Sequence, residues 1–205
     1  MRRKDQRIQR SKRQVGNARS AGTKSTARSH GGASRPIPLP GRVRVSAQLE
    51  IIPAISAGRV SQARTLFHEY AAELGVSLCF QNFNAELATL PGDYALPTGA
   101  LFVAEFEHEL AGCVALRKLG RGVCEMKRLY VRPAFRGKEI GRALAKSIVT
   151  EARRLGYRAM ALDTLSSMRP AMALYQSLGF KKTKAYYANP LDGVVYMKLR
   201  FSSSW

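Results

Sequence analysis

From Gln48 onward the chain alternates short apolar runs with longer stripes at helical spacing, whereas residues 1–41 carry almost no large apolar side chains. Leu49, Ile51 and Ile52, stopped by Pro53, read as a first strand. Ser56 can cap a helix that carries Val60, Ala63, Leu66, Phe67, Tyr70 and Leu74 on one face, with Gly75 as its stop. A shorter helix is predicted over residues 83–90, ahead of Pro91-Gly92. Residues 101–106 and 110–117 flank a polar turn at Glu107-His108-Glu109, and residues 124–131 follow the turn Gly120-Arg121-Gly122. Together they form an antiparallel meander. The clearest helix runs over residues 137–155, where Ile140, Leu144, Ile148, Ala152 and Leu155 form one stripe. A strand over 160–163 comes next, and the strand–helix–strand order implies a parallel pairing. Pro170 opens a further helix to residue 178, stopped by Gly179, and the last strands span 181–186 and 194–201. The expected fold is α/β (α+β), with a mixed, mostly antiparallel sheet of about seven strands flanked by helices.

Charge separates the two parts of the chain. The formal net charge is +20, and residues 1–45 contribute 13 Lys and Arg against one acid, Asp5, or +12. The expected division is a disordered basic tail at 1–45 and a folded domain at 46–205. Such a tail is open to three readings: a solvated extension, an arm that holds nucleic acid through residues 1–41, or an organellar transit peptide. No apolar core follows the basic start, which argues against a secretory signal, and no run of about 18 apolar residues suggests a membrane span. Cys79, Cys113 and Cys124, with His30, His68 and His108, lack metal-ligand spacing, so no metal is expected and the thiols are read as reduced in a cytoplasmic protein.

The chemistry concentrates in one segment, Leu129-Tyr130-Val131-Arg132-Pro133-Ala134-Phe135-Arg136-Gly137-Lys138-Glu139-Ile140-Gly141-Arg142. A strand ends, a basic glycine-containing loop follows, and a long helix starts. The unpaired N–H groups of a first helical turn favour a phosphate or pyrophosphate. Gly137 and Gly141 let an anion approach the backbone, and Arg136 and Lys138 add positive charge. Neither a Walker sequence nor a G-x-G-x-x-G fingerprint is present.

This segment resembles the first signature of the GNAT superfamily of N-acetyltransferases, with Arg136-Gly137-Lys138-Glu139-Ile140-Gly141 in register after the strand Leu129-Tyr130-Val131. Ala171-Met172-Ala173-Leu174-Tyr175-Gln176-Ser177-Leu178-Gly179-Phe180 resembles the family's second signature. Glu139 stands where the family most often has Gly, and Met168 where an Asn commonly precedes the second signature.

The resemblance implies acetyl-CoA as cosubstrate, held by Leu129, Tyr130, Val131 and the residues from Arg136 to Arg142, and an amine as acceptor. It implies direct transfer, with the Val131 N–H polarising the thioester carbonyl and Tyr175 as acid toward the departing sulfur. A lysine-like amine costs about 4.6 kcal/mol to deprotonate at neutral pH, so a base is useful. Glu125, six residues before Val131 on one strand, falls on the same face by alternation and matches the catalytic glutamate of some family members. Its alternative is pairing with Lys127 or Arg128, and the alternative for Tyr175 is a core position. Tyr186, Tyr187 and Asn189 are candidates for the acceptor pocket. A non-catalytic CoA-binding module is the competing function, and a homodimer is left open.

Overall fold

The computed structural model describes residues 37–46, 48–75 and 82–202. Cys79, His30 and the readings placed on residues 1–36 lie outside the described residues. In chain order the described elements are β1 (Val43–Arg44), β2 (Leu49–Pro53), α1 (Ala57–Leu74), α2 (Phe83–Thr89), β3 (Ala100–Phe106), β4 (Glu109–Gly120), β5 (Val123–Val131), α3 (Ile140–Arg154), β6 (Ala159–Leu165), α4 (Arg169–Ser177), β7 (Lys181–Lys182) and β8 (Val194–Arg200). The strands form one eight-stranded sheet in the order β1-β2-β3-β4-β5-β6-β8-β7. All neighbours are antiparallel except β5 and β6, the pair joined through α3.

Local chemistry explains most boundaries. The Ser56 hydroxyl accepts the Arg59 N–H at the start of α1, and Gly75 ends it with φ 67°. Glu107 and His108 both have positive φ, which suits the tight hairpin between β3 and β4. In α3, Ile140, Leu144, Ile148 and Ala152 are all buried against one sheet face, each large side chain contributing about 1.5–3 kcal/mol. α4 packs on that same face, while α1 and α2 cover the other with Leu66, Phe67, Phe83 and Leu87.

Three details differ from the sequence expectation. The sheet has eight strands because Val43 and Arg44, read as tail, pair with Ile51 and Glu50. Arg42 and Arg44 both reach the Glu50 carboxylate there. α3 starts at Ile140 rather than 137, because Gly137 (φ 79°) and Glu139 (φ 57°) are left-handed and cannot continue a right-handed helix. The strand predicted over 181–186 shortens to Lys181–Lys182, and its tyrosine, Tyr186, falls with Tyr187 in a long connection to β8.

Candidate active site

The site is a fork in the sheet. β5 and β6 share a ladder over only three pairs, Val123–Ala159, Cys124–Met160 and Glu125–Ala161, after which the strands part. The parting begins where β5 carries an extra residue. Cys113 and Ala115 of β4 face Tyr130 and Lys127, so three steps on β5 answer two on β4. Arg128 occupies this bulge with φ 56°, a conformation costing a non-glycine residue about 1–2 kcal/mol. Its guanidinium donates to both oxygens of Glu86 at 2.9 and 2.6 Å, and lies 5.0 Å from the Phe83 ring and 5.8 Å from Tyr70. The Tyr94 hydroxyl also donates to Glu86, at 2.7 Å. Burial pushes the Glu86 carboxyl up, but Arg128 outweighs it and holds the group below the usual carboxylate range. α2 thereby pins the bulge.

The bulge turns two amides into the fork. The Arg128 carbonyl accepts from the Cys113 Sγ on β4, at 3.4 Å, so across a trans peptide the Leu129 N–H points the opposite way. The Arg132 N–H donates to the Ala111 carbonyl at 2.9 Å, which makes the adjacent Gly112–Val131 pair a non-hydrogen-bonded one. The Val131 N–H therefore also faces the side that β6 has left. Gly112 is needed for this approach, since a Cβ there would lie 2.4 Å from the Tyr130 carbonyl oxygen.

Between the strands lies a cleft of about 460 Å³, walled by Leu129 and Val131 on β5, Tyr70 on α1, Arg136 on the loop, Gly141 on α3 and Met168 before α4. The first α3 bond is Ala143 N–H to the Glu139 carbonyl, at 3.0 Å, so the amides of Ile140, Gly141 and Arg142 precede any intrahelical acceptor. Gly141 lines the cleft, and a Cβ there would stand only at ordinary contact distance from Val131 and Leu174. The Arg136 guanidinium bonds the Val131 carbonyl at 3.1 Å and Glu73 of α1 at 2.6 Å. One helical turn earlier Glu69 accepts from Nε and Nη2 of Arg132, at 2.9 and 2.7 Å.

The side chains of the other expected cofactor residues have partners within the protein, although Tyr130 also lines the cleft and the Ile140 and Arg142 amides precede the first helical bond. The Lys138 ammonium lies 4.5 Å over the Phe106 ring, Ile140 is core, and Tyr130 turns its ring toward Tyr70 at 6.2 Å. The Glu139 carboxylate is exposed and pairs with Arg142 at 2.7 Å, while Arg142 also reaches Ser177 at 3.0 Å. The left-handed backbone at Glu139 accounts for a glycine preference at that position.

At the other end a cavity of about 90 Å³ shares the walls Tyr70, Leu129, Met168 and Ala171 with the larger cleft. Asp163 of β6 is its carboxylate. Oδ1 accepts from Lys127 Nζ at 3.3 Å, and Oδ2 from the Tyr187 hydroxyl at 2.8 Å and Asn189 Nδ2 at 3.3 Å. Tyr175 lines the same cavity with its ring 5.9 Å from Phe180, and burial pushes its hydroxyl above the ordinary phenol range. It therefore stays protonated near neutral pH.

Glu125 sits outside this lining. It is fully buried, with Oε2 accepting from Arg117 Nε at 2.7 Å and Oε1 from the Tyr186 hydroxyl at 2.8 Å. The alternation argument that put it on the face of Val131 fails because the bulge at Arg128 adds one residue. Cys124 and Met126, not Glu125, share the core side with Leu129 and Val131. Sequence reasoning missed Asp163, whose signal was a single acid directly after the apolar run of β6, beside the second signature. Cys113 and Cys124 are buried, and burial pushes the Cys124 thiol up to about 12, so neither suits a nucleophile. Among the described residues no cluster of acids, His or Cys could hold a metal, and no helix is long and apolar enough to cross a membrane.

The chain is similar to known proteins. Residues 65–180 match the acetyltransferase (GNAT) family. An uncharacterized N-acetyltransferase of Schizosaccharomyces pombe is 49% identical over 141 residues, covering 68% of this chain and 86% of that protein. One from Dictyostelium discoideum is 29% identical over 204 residues, covering 69% of this chain and 94% of its own. The crystal structure of an acetyltransferase from Streptococcus agalactiae has the same fold, with a TM-score of 0.63 at 18% identity over 76% of this chain and all (100%) of that one. The chain belongs to the GNAT family of acetyltransferases, enzymes that move an acyl group from coenzyme A to an acceptor.

Proposed function

We propose that this acetyltransferase moves the acetyl group of acetyl-CoA directly to an amine, with the fork between β5 and β6 as its active site. The observation that carries the reading is the joining of two kinds of group along one cleft. Free amides of Ile140, Gly141 and Arg142 stand near one end, and Asp163 with Tyr175 at the other. The α3 amides and Arg136 fit a diphosphate by charge and by hydrogen-bond direction.

The Leu129 and Val131 N–H groups point where a thioester carbonyl would develop negative charge, and one such donor is worth about 3 kcal/mol in other enzymes. Asp163 is the carboxylate on the cavity wall and takes the proton of the acceptor amine. Glu125 acts as a positioning residue that fixes Tyr186 and Arg117 behind it. Tyr175, kept protonated by burial, donates to the leaving sulfur.

The test is calorimetric titration of the full-length protein with acetyl-CoA, followed by thiol release against a panel of amines. Saturable binding and amine-dependent release are expected, with kcat falling about 100-fold in Tyr175→Phe. Unchanged release in that variant removes Tyr175 from the mechanism. No binding at millimolar acetyl-CoA removes the whole reading.

A further inference from the structure

The acceptor end of the fork already contains an amine. Lys127 lines the 90 Å³ cavity together with Leu129, Asp163, Met168 and Tyr175. Its side chain is only 5% exposed, so the ammonium belongs to this interior rather than to the surface. It lies on the strand that carries the two fork-facing amides, two residues before Leu129. Its Nζ is 3.3 Å from Asp163 Oδ1, the carboxylate assigned above to deprotonating an acceptor. This side chain thus has what an acceptor amine needs: access to the acyl end of the cleft and a base at hydrogen-bond distance.

We propose that Lys127 is a self-acetylation site, taking the acetyl group from acetyl-CoA bound in its own chain. The inference rests on the reading of the fork as the acyl-transfer site. The Lys127 ammonium first gives one proton to Asp163. The neutral Nζ then attacks the thioester carbonyl carbon, the N–C bond forms, and the C–S bond breaks with its electron pair leaving on sulfur. The thiolate takes a second proton shed by the nitrogen, through Tyr175, and the proton on Asp163 passes to water. The balance is acetyl-lysine, free CoA thiol and one released proton. Burial favours the first step, because it draws the Lys127 ammonium below the ordinary lysine range against the opposing pull of Asp163.

The product would change the site. An amide replaces the cation beside Asp163, and the added acetyl group fills the small end of the cleft. Modification therefore opposes turnover of external amines, and the enzyme limits itself when acetyl-CoA is plentiful and acceptor scarce.

The experiment incubates full-length protein with deuterium-labelled acetyl-CoA and no acceptor, then follows each lysine peptide by mass spectrometry. One labelled acetyl group is expected on Lys127, faster than on the exposed Lys181 and Lys182, with a half-time independent of protein concentration. Asp163→Asn should slow it about 100-fold. Preincubation should lower later turnover of a free amine in the wild type and not in Lys127→Arg, whose charge preserves the ion pair with Asp163. Should Asp163→Asn fail to fold, comparison of the native with the urea-unfolded chain replaces it. Equal labelling of Lys127 in both overturns the proposal. So does a protein that acetylates a free amine while Lys127 stays unlabelled, and that result leaves the proposed function standing. A chain that neither binds acetyl-CoA nor labels overturns both.

Discussion

The two ends of the fork are built from different materials. Near α3 the groups that matter are backbone: amides of Ile140 to Arg142, the left-handed Gly137 and Glu139, and Gly141 on the cleft wall. At Asp163 they are side chains from β5, β6 and the connection to β8, joined by hydrogen bonds among Lys127, Tyr187 and Asn189. A backbone site depends on conformation and tolerates many side chains. A side-chain site depends on each partner and on what holds it in place. The bulge at Arg128 serves both, because it aims the amides and sets which face Lys127 and Glu125 occupy.

Substitutions should separate these dependences. The largest effect is expected from Glu86→Ala, which strands the buried Arg128 and should cost about 3–5 kcal/mol of stability in urea unfolding. The same pair sets an acid limit. Arg128 holds the Glu86 carboxyl below the usual carboxylate range, so its contribution is complete above that range and is lost as pH falls through the lowered folded-state value. If Glu86→Ala left the unfolding midpoint unchanged, α2 would not be what holds the bulge.

Gly112→Ala comes next. A methyl 2.4 Å from the Tyr130 carbonyl must push β5 outward, and a shift near 1 Å at the two amides should lower kcat/KM about 100-fold. Wild-type kinetics in that variant would free the Leu129 and Val131 amides from any catalytic part. Gly141→Ala tests the backbone end alone. Its Cβ would meet Val131 and Leu174 at 3.6 and 3.8 Å, so the fold should persist. The methyl would narrow the cleft, weakening acetyl-CoA about tenfold, or about 1.4 kcal/mol, by calorimetry. The smallest effect is expected from Glu139→Gly, which relieves φ 57° and removes a carboxylate from the helix start. Coenzyme affinity should rise about two- to fivefold, and a fall would show that the Glu139–Arg142 pair orders the loop.

The contrast also explains what could be read from the chain beforehand. Helices α1 and α3 announce themselves through apolar spacing, and the loop from Arg136 to Gly141 through its glycines, because these features are local. The bulge is not local. No neighbour of Arg128 in sequence marks it, and the partners of its side chain are Glu86, 42 residues away, with Phe83 and Tyr70. Alternation counted through that point gave Glu125 the wrong face, and every residue beyond the bulge is shifted by one in the same way. Asp163 was hidden differently. Its role depends on β6 diverging after Ala161, which a run of apolar residues does not record. The start of α3 moved because Glu139, a good helix former, is held left-handed after Gly137.

The early end of the β5–β6 ladder has a further consequence for motion. Where neighbouring strands bond, an amide is shielded from deuterium until the sheet opens, but Leu129 and Val131 have no strand across from them on the fork side. These two should exchange like loop amides although they sit in the middle of a sheet. A long molecule laid along the gap would slow them without any strand moving, so exchange at two positions reports occupancy of the enzyme directly.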